Sequence, residues 1–135
     1  MIHFDSSFFI DLMREDQRGR PGPALDFIES LGEDELMAVS VHVVSELRAG
    51  AELSKRSLAE HEVVDRMLGR LRVADPDERF APMYGRLFAA TQRGGTPVGS
   101  MDLLIGTAAL LDDAALVTAN VKDFARVPGL RILTY

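Results

Sequence analysis

Short apolar runs alternate with longer amphipathic stretches along this chain. Ile2-His3-Phe4 reads as a strand, and Ser6 and Ser7 as caps for a helix whose Phe8, Phe9, Leu12 and Met13 share one face. A Gly/Pro loop from Arg18 to Pro23 leads into a short helix, Ala24 to Leu31, with Leu25, Ile28 and Leu31 inward. After the polar turn Gly32 to Glu35 comes a second strand, Leu36 to Val39, and Ser40 caps the helix that carries Val43, Val44, Leu47 and Ala51. Gly50 leaves the end of that helix open. Ser57 to Leu71 is amphipathic, with Leu58, Val64, Met67, Leu68 and Leu71 as its stripe, and Leu71 to Val73 makes a brief third strand. Glu78 to Thr91 is a further helix, followed by the loop Gly94 to Pro97. Ser100 is placed to cap an almost wholly apolar helix to Leu111, expected at the centre of the molecule. Ala115 to Thr118 has no polar residue before its last position, as a parallel strand covered on both faces does. A helical turn, Val121 to Ala125, and a last strand, Arg131 to Leu133, complete the pattern.

Strands alternating with helices predict an α/β fold with a mostly parallel sheet. In such sheets ligands bind outside the carboxyl ends of the strands. The chain has 135 residues, which predicts one domain over 1–135, and 47% of them are hydrophobic, enough for a core. Its longest apolar run is far short of the roughly 20 residues needed to cross a bilayer. There is no basic region ahead of an apolar stretch, and no cysteine, so a cytoplasmic protein is expected. A net charge of -6 argues against nonspecific nucleic-acid binding, unless several of the acids are neutralised by a bound cation.

Several acids recur beside the ends of apolar runs. Asp5 directly follows the first strand, and Glu46 lies in the helix after the second. Asp102 opens the apolar helix, and Asn120 and Asp123 follow the strand that ends at Thr118. Each has an ordinary reading: Asp5 as a helix N-cap, Glu46 as a solvated flank, Asp102 as a favourable charge on a helix dipole, Asn120 and Asp123 as turn residues. Each also has a functional one. Carboxylates converging on one sheet edge require a divalent cation, and oxygen ligands select a hard ion such as Mg²⁺ or Mn²⁺. Thr118 offers a hydroxyl to a water or a carboxylate, and Ser7 stands beside Asp5. His3, His42 and His61 lack zinc-site spacing; His42 and Glu46 are four apart, without a second histidine to complete a site. No nucleophile elbow, P-loop or dinucleotide fingerprint is present.

Four segments resemble the successive motifs of PIN domains, above all those of VapC-type toxin ribonucleases: Phe4-Asp5-Ser6-Ser7-Phe8-Phe9-Ile10, Val44-Ser45-Glu46-Leu47-Arg48-Ala49-Gly50, Gly99-Ser100-Met101-Asp102-Leu103-Leu104-Ile105-Gly106-Thr107-Ala108 and Val117-Thr118-Ala119-Asn120-Val121-Lys122-Asp123-Phe124. The resemblance spans essentially the whole chain, with the motifs in order. It implies a three-layer PIN-like fold and a Mg²⁺- or Mn²⁺-dependent endoribonuclease. By that similarity Asp5, Glu46 and Asp102 bind the metal and act in catalysis with Asp123, while Asn120, Thr118 and Ser7 support them. Many relatives carry Asp where Asn120 stands. A neutral amide weakens a second metal site, so one ion is expected. The resemblance also implies an RNA substrate, a homodimer and a VapB-type antitoxin that lays a basic side chain among the acids. The face carrying Phe8, Phe9, Leu12 and Met13 is a candidate for docking it, unless these residues pack in the core. Arg14, Arg18 and Arg20 are candidates to hold RNA phosphates. Asn120 favours a second reading, a PIN-like domain that binds RNA or protein without cutting. A response-regulator-like phosphoacceptor would need a second acid beside the first strand and a lysine after the last, and the chain has neither.

Overall fold

Five strands, all parallel, form one sheet in the computed structural model, which describes residues 1–135. The elements run β1 (Ile2–Phe4), α1 (Ser6–Arg18), α2 (Pro23–Ser30), β2 (Met37–Ser40), α3 (Val41–Leu53), α4 (Ser57–Leu68), β3 (Arg72–Ala74), α5 (Phe80–Arg93), α6 (Ser100–Leu111), β4 (Ala115–Val117), α7 (Val121–Phe124) and β5 (Ile132–Leu133). In space the strands are ordered β3-β2-β1-β4-β5. The chain steps outward from β1 to β3, then crosses back to place β4 on the other side of β1. The carboxyl ends of β1 and β4 therefore flank the topological switch point, where open parallel sheets bind ligands.

The pleat sends alternate residues to opposite faces, and each face is covered differently. Ile2 and Phe4 pair in register with Ala115 and Val117. Phe4 packs on α1 and α2, with ring centroids 4.6 Å from Phe8 and 6.4 Å from Phe27, and Phe8 meets Tyr135 edge-on at 5.1 Å. His3 points the other way, and its Nε2 lies 2.7 Å from Oδ2 of Asp112, just past the end of α6. Arg72 donates to the same carboxylate oxygen at 2.6 Å. Burial lowers the proton affinity of His3 against the pull of Asp112, and the Asp112 carboxyl lies below its ordinary value because the His3 bond and the Arg72 charge outweigh its own burial. This network ties β1, β3 and α6 together at the end of the sheet opposite the acids. As expected, α6 is central: Leu103 and every residue from Ile105 to Ala109 are buried.

The expected elements are all present, with shifted ends. α3 runs through Gly50 to Leu53, and β2 and β3 each begin one residue later than the sequence pattern suggests. Two caps are different. Ser40 caps α3 by accepting from the Val43 N–H at 3.2 Å, as expected. Ser6 and Ser7 do not cap α1: both lie within the helix, Asp5 holds the N-cap position, and their hydroxyls donate to the Asp5 carboxylate. Ser100 does not cap α6 either; it is the first helical residue, and Gly99 holds the cap position without a side-chain bond.

An unforeseen acid organises the α1–α2 corner. Glu15 is buried, and its carboxylate accepts from the N–H groups of Gly22 at 2.9 Å, Ala24 at 2.9 Å and Leu25 at 3.0 Å. These are unpaired donors at the start of α2; Pro23, between them, has none to satisfy. Gly22 is required there, since a Cβ would stand 2.7 Å from Cδ of Glu15. Glu15→Ala should lower unfolding free energy by about 2 kcal/mol, by stranding three N–H donors, that of Ala24 fully buried. Gly22→Ala should destabilise for the complementary steric reason. Urea unfolding checks both, and a Glu15→Ala loss below about 0.5 kcal/mol, the range of a neutral surface change, would contradict this account.

Candidate metal centre

Asp5 continues the β1–β4 ladder one residue beyond β1, its N–H donating to the Val117 carbonyl at 3.0 Å. It occupies the N-cap position of α1, but its side chain makes no capping bond. It is only 4% exposed. Oδ2 accepts from the Ser7 hydroxyl at 2.9 Å and from the Thr118 hydroxyl at 2.8 Å. Each hydroxyl is oriented in turn by a backbone donor from the β4–α7 connection: Ala119 N–H to Ser7 Oγ at 3.1 Å, and Asn120 N–H to Thr118 Oγ1 at 2.9 Å. One carboxylate oxygen is thus saturated. The other, Oδ1, has only the Ser6 hydroxyl at a long 3.4 Å. The arrangement aims Oδ1 into the switch-point crevice and holds it there.

Glu46 approaches from α3. Burial raises its proton affinity, and the negative charges of Asp5 and Asp102 raise it further, while the nearby Ser6 hydroxyl pulls the other way. Its Oε1 is buried with no hydrogen-bond partner. Arg48, two residues on, does not relieve it, being paired with Asp65 and His61 on α4. Asp102 enters from the first turn of α6, where the helix dipole favours an anion. Burial raises its proton affinity, and the charges of Asp5 and Asp123 add to the effect. These mutual fields connect all four carboxylates, Asp5, Glu46, Asp102 and Asp123, in one region.

The two residues considered for the fourth position separate here. Asp123, on α7, lies within the field of Asp102. Asn120 holds the N-cap position of α7 without a side-chain capping bond and serves through its backbone N–H, on Thr118. His42, one turn before Glu46, packs against Phe80 at 5.4 Å, and its Nε2 is buried and unpartnered. Of the phenylalanines considered for a docking face, Phe8 and Phe9 are fully in the core, while Leu12 and Met13 are half-buried.

The donor set suits a hard divalent cation. Every carboxylate donor is oxygen, the group carries unbalanced negative charge, and Glu46 Oε1 lacks a partner. No three of the acids stand close enough to hold an ion between them unaided. Such a site leaves ligand positions to water or to a substrate phosphate, the habit of Mg²⁺ rather than of Ca²⁺.

The PIN domain family matches residues 2–130. The chain belongs to this family. It is 34% identical over 103 residues to ribonuclease VapC2 of Rickettsia felis, covering 76% of this chain and 77% of the relative. It is 38% identical over 96 residues to the tRNA(fMet)-specific endonuclease VapC of Salmonella typhimurium, covering 71% and 73%. Among solved structures, VapBC2 of Rickettsia felis, bound to a DNA fragment from its promoter, superposes with a TM-score of 0.88 at 28% identity, over 100% of this chain and 99% of that one. The three-layer PIN architecture expected from the motifs is the one observed.

The raised proton affinities have a consequence for stability. Folded, Glu46 keeps a proton at pH values where the unfolded chain has released it, so its contribution to stability falls as pH rises from the ordinary carboxylate range through its raised value. At neutral pH in chelator, Glu46→Gln should therefore stabilise the metal-free PIN domain, by roughly 0.5–2 kcal/mol, and flatten the decline with pH. Thermal unfolding across pH tests this, and a less stable Glu46→Gln protein would contradict it.

Proposed function

We propose that this protein is an endoribonuclease toxin of a type II toxin–antitoxin pair, hydrolysing RNA with the aid of Mg²⁺ or Mn²⁺. The carrying observation is the gathering of Asp5, Glu46, Asp102 and Asp123 at the switch point of a PIN sheet, with Glu46 Oε1 left unpartnered. The names of its relatives, ribonuclease VapC2 and tRNA(fMet)-specific endonuclease, support the same activity.

In this reading Asp5, Asp102 and Glu46 would hold the ion together with waters or a substrate phosphate, since no three acids reach it unaided, and Asp123 completes the acidic set. When bound, the ion lowers the pKa of a water and polarises the scissile phosphate. Asp5 offers Oδ1 because Ser7 and Thr118 occupy Oδ2. Glu46, whose proton affinity is already raised, receives the proton of the attacking water at Oε1 as the water oxygen bonds to phosphorus and a ribose oxygen leaves. Asn120 and Ala119 act through their N–H groups, keeping the two hydroxyls aligned.

The partners follow from the same surface. A VapB-type antitoxin neutralises the enzyme, consistent with the VapBC complex among its structural neighbours. A basic side chain among unbalanced acids is electrostatically favoured. A groove of about 480 Å³, lined in part by Leu12, Met13, Leu25 and Met67, gives the antitoxin an apolar seat. The protein works in the cytoplasm, with its RNA substrate, as a homodimer.

RNA cleavage should require Mg²⁺ or Mn²⁺ and should fall roughly 10³-fold in Asp5→Ala and in Asp102→Ala, with circular dichroism unchanged. Undiminished cleavage in either variant would overturn the assignment. Calorimetric titration with Mn²⁺ separates it from a PIN-like domain that binds RNA or protein without cutting, which would bind no ion. Thr118→Val should weaken Mn²⁺ binding by roughly 10- to 100-fold, since Thr118 orients a ligand without being one; unchanged affinity would remove Thr118 from the site.

A further inference from the structure

A second groove, of about 370 Å³, runs beside the acidic centre along α1. Arg14, Arg18 and Arg20 line it, together with Ala119 and Tyr135. Arg14 and Arg18 are four apart and share a helix face. Gly19 then ends α1 in the left-handed conformation, φ 69°, and the turn brings Arg20 onto the same groove. All three guanidinium side chains are exposed.

The acids of this groove are already engaged. Glu15 spends both oxygens on the backbone of the α2 start. Asp11 accepts from the Tyr135 hydroxyl at 2.7 Å and lies 3.5 Å from Arg14. Arg18 and Arg20 form no ion pair within the protein; other arginines, Arg56 and Arg70 among them, are also unpaired, but these two line this groove. Two uncommitted guanidinium groups therefore face solvent in a protein of net charge -6.

The groove leads into the carboxylate cluster. Ala119, in its wall, donates to Ser7, which donates to Asp5. Tyr135, in the same wall, packs edge-on against Phe8 of α1 at 5.1 Å and donates its hydroxyl to Asp11. From Ser7 to Arg18 the helix covers ~16 Å, room for several nucleotides.

We infer that this groove is a track for the RNA sugar–phosphate backbone, in which Arg14, Arg18 and Arg20 hold successive phosphates and lead the strand to Asp5 and Glu46. The inference rests on the ribonuclease reading above and adds to it where the substrate lies. Guanidinium groups take phosphate oxygens bidentately. The apolar side chains that would seat a protein helix, Leu12, Met13 and Met67, line the other groove, not this one. The contacts are to backbone, so the track is indifferent to base sequence.

The test uses the full chain carrying Asp5→Asn, so that RNA is bound but not cut, and an unstructured, mixed-sequence RNA oligonucleotide as probe. Adding Arg18→Gln and Arg20→Gln should weaken binding about tenfold, equally for different sequences, and reduce the slope of log affinity against log salt by about 1.4, or ~0.7 per lost phosphate contact. Arg70→Gln with Arg131→Gln removes the same charge at the amino ends of the two edge strands, away from the acids, and should change neither quantity. In the otherwise native enzyme, Arg18→Gln with Arg20→Gln should raise KM for RNA more than it lowers kcat, with Mn²⁺ affinity unchanged. Unchanged RNA affinity and salt slope would overturn the track, as would an equal loss in the control pair. So would a variant that binds RNA normally but loses affinity for the antitoxin. Failure of the native protein to bind or cut RNA at all would instead overturn the ribonuclease reading.

Discussion

Carboxylates drawn partly out of water repel one another, so a protein that gathers four of them, Asp5 buried and Glu46, Asp102 and Asp123 half-buried, must hold them by force of its fold. Here that force is the parallel sheet. β1 and β4 lie side by side, and the Asp5 N–H bonds to the Val117 carbonyl, so Asp5 cannot retreat from the crevice without breaking the ladder. α3 and α6 deliver Glu46 and Asp102 to the same place, and both carboxyls respond by gaining proton affinity. The energetic cost of the cluster is the affinity it holds in reserve for a cation.

Two acids in the same short stretch of chain show how environment divides chemistry from architecture. Glu15 and Asp5 are both buried and both accept several hydrogen bonds. Glu15 has both oxygens saturated by backbone N–H groups and no acid acting beside it, which makes it a structural clasp for α2. Asp5 has one oxygen saturated by two hydroxyls and the other nearly free, amid like charges. Satisfaction of hydrogen-bonding capacity, rather than burial, distinguishes them. Among the unpaired arginines, Arg18 and Arg20 are set apart by position, lining a groove that Ala119 joins to the acidic centre.

Much of the fold was legible because hydrophobic periodicity is strong here. Ile2 to Phe4, Ala115 to Val117 and the apolar run of α6 each announce an element, and their alternation announces a parallel sheet. The acids at its edge follow from that topology. The errors were local competitions. Ser6 and Ser7 looked like helix caps because serine often is one, but the helix begins one residue earlier than a Ser6 cap allows, with Asp5 at the N-cap, and both hydroxyls donate to its carboxylate. By pattern alone Asn120 and Asp123 could not be separated, since three residues on a turn point in directions set by the turn; the resemblance set Asp123 with the acids and Asn120 in support. Glu15 gave no signal, because an acid on a helix face normally meets water, and only the folding-back of the α2 start buries it.

The sequence by itself determined the order of the elements, the parallel sheet, the PIN family and the acids Asp5, Glu46 and Asp102. Those follow from local periodicity and from motifs written in contiguous residues. Only the tertiary structure decided which oxygen of Asp5 is free, because Thr118, which occupies the other, is 113 positions away along the chain. It alone left Glu46 Oε1 without a partner and brought Arg14, Arg18 and Arg20 into one groove with Ala119 and Tyr135. The physical reason is range. Periodicity is a property of neighbours, whereas proton affinity and ion pairing depend on every group that folding brings within a few ångströms.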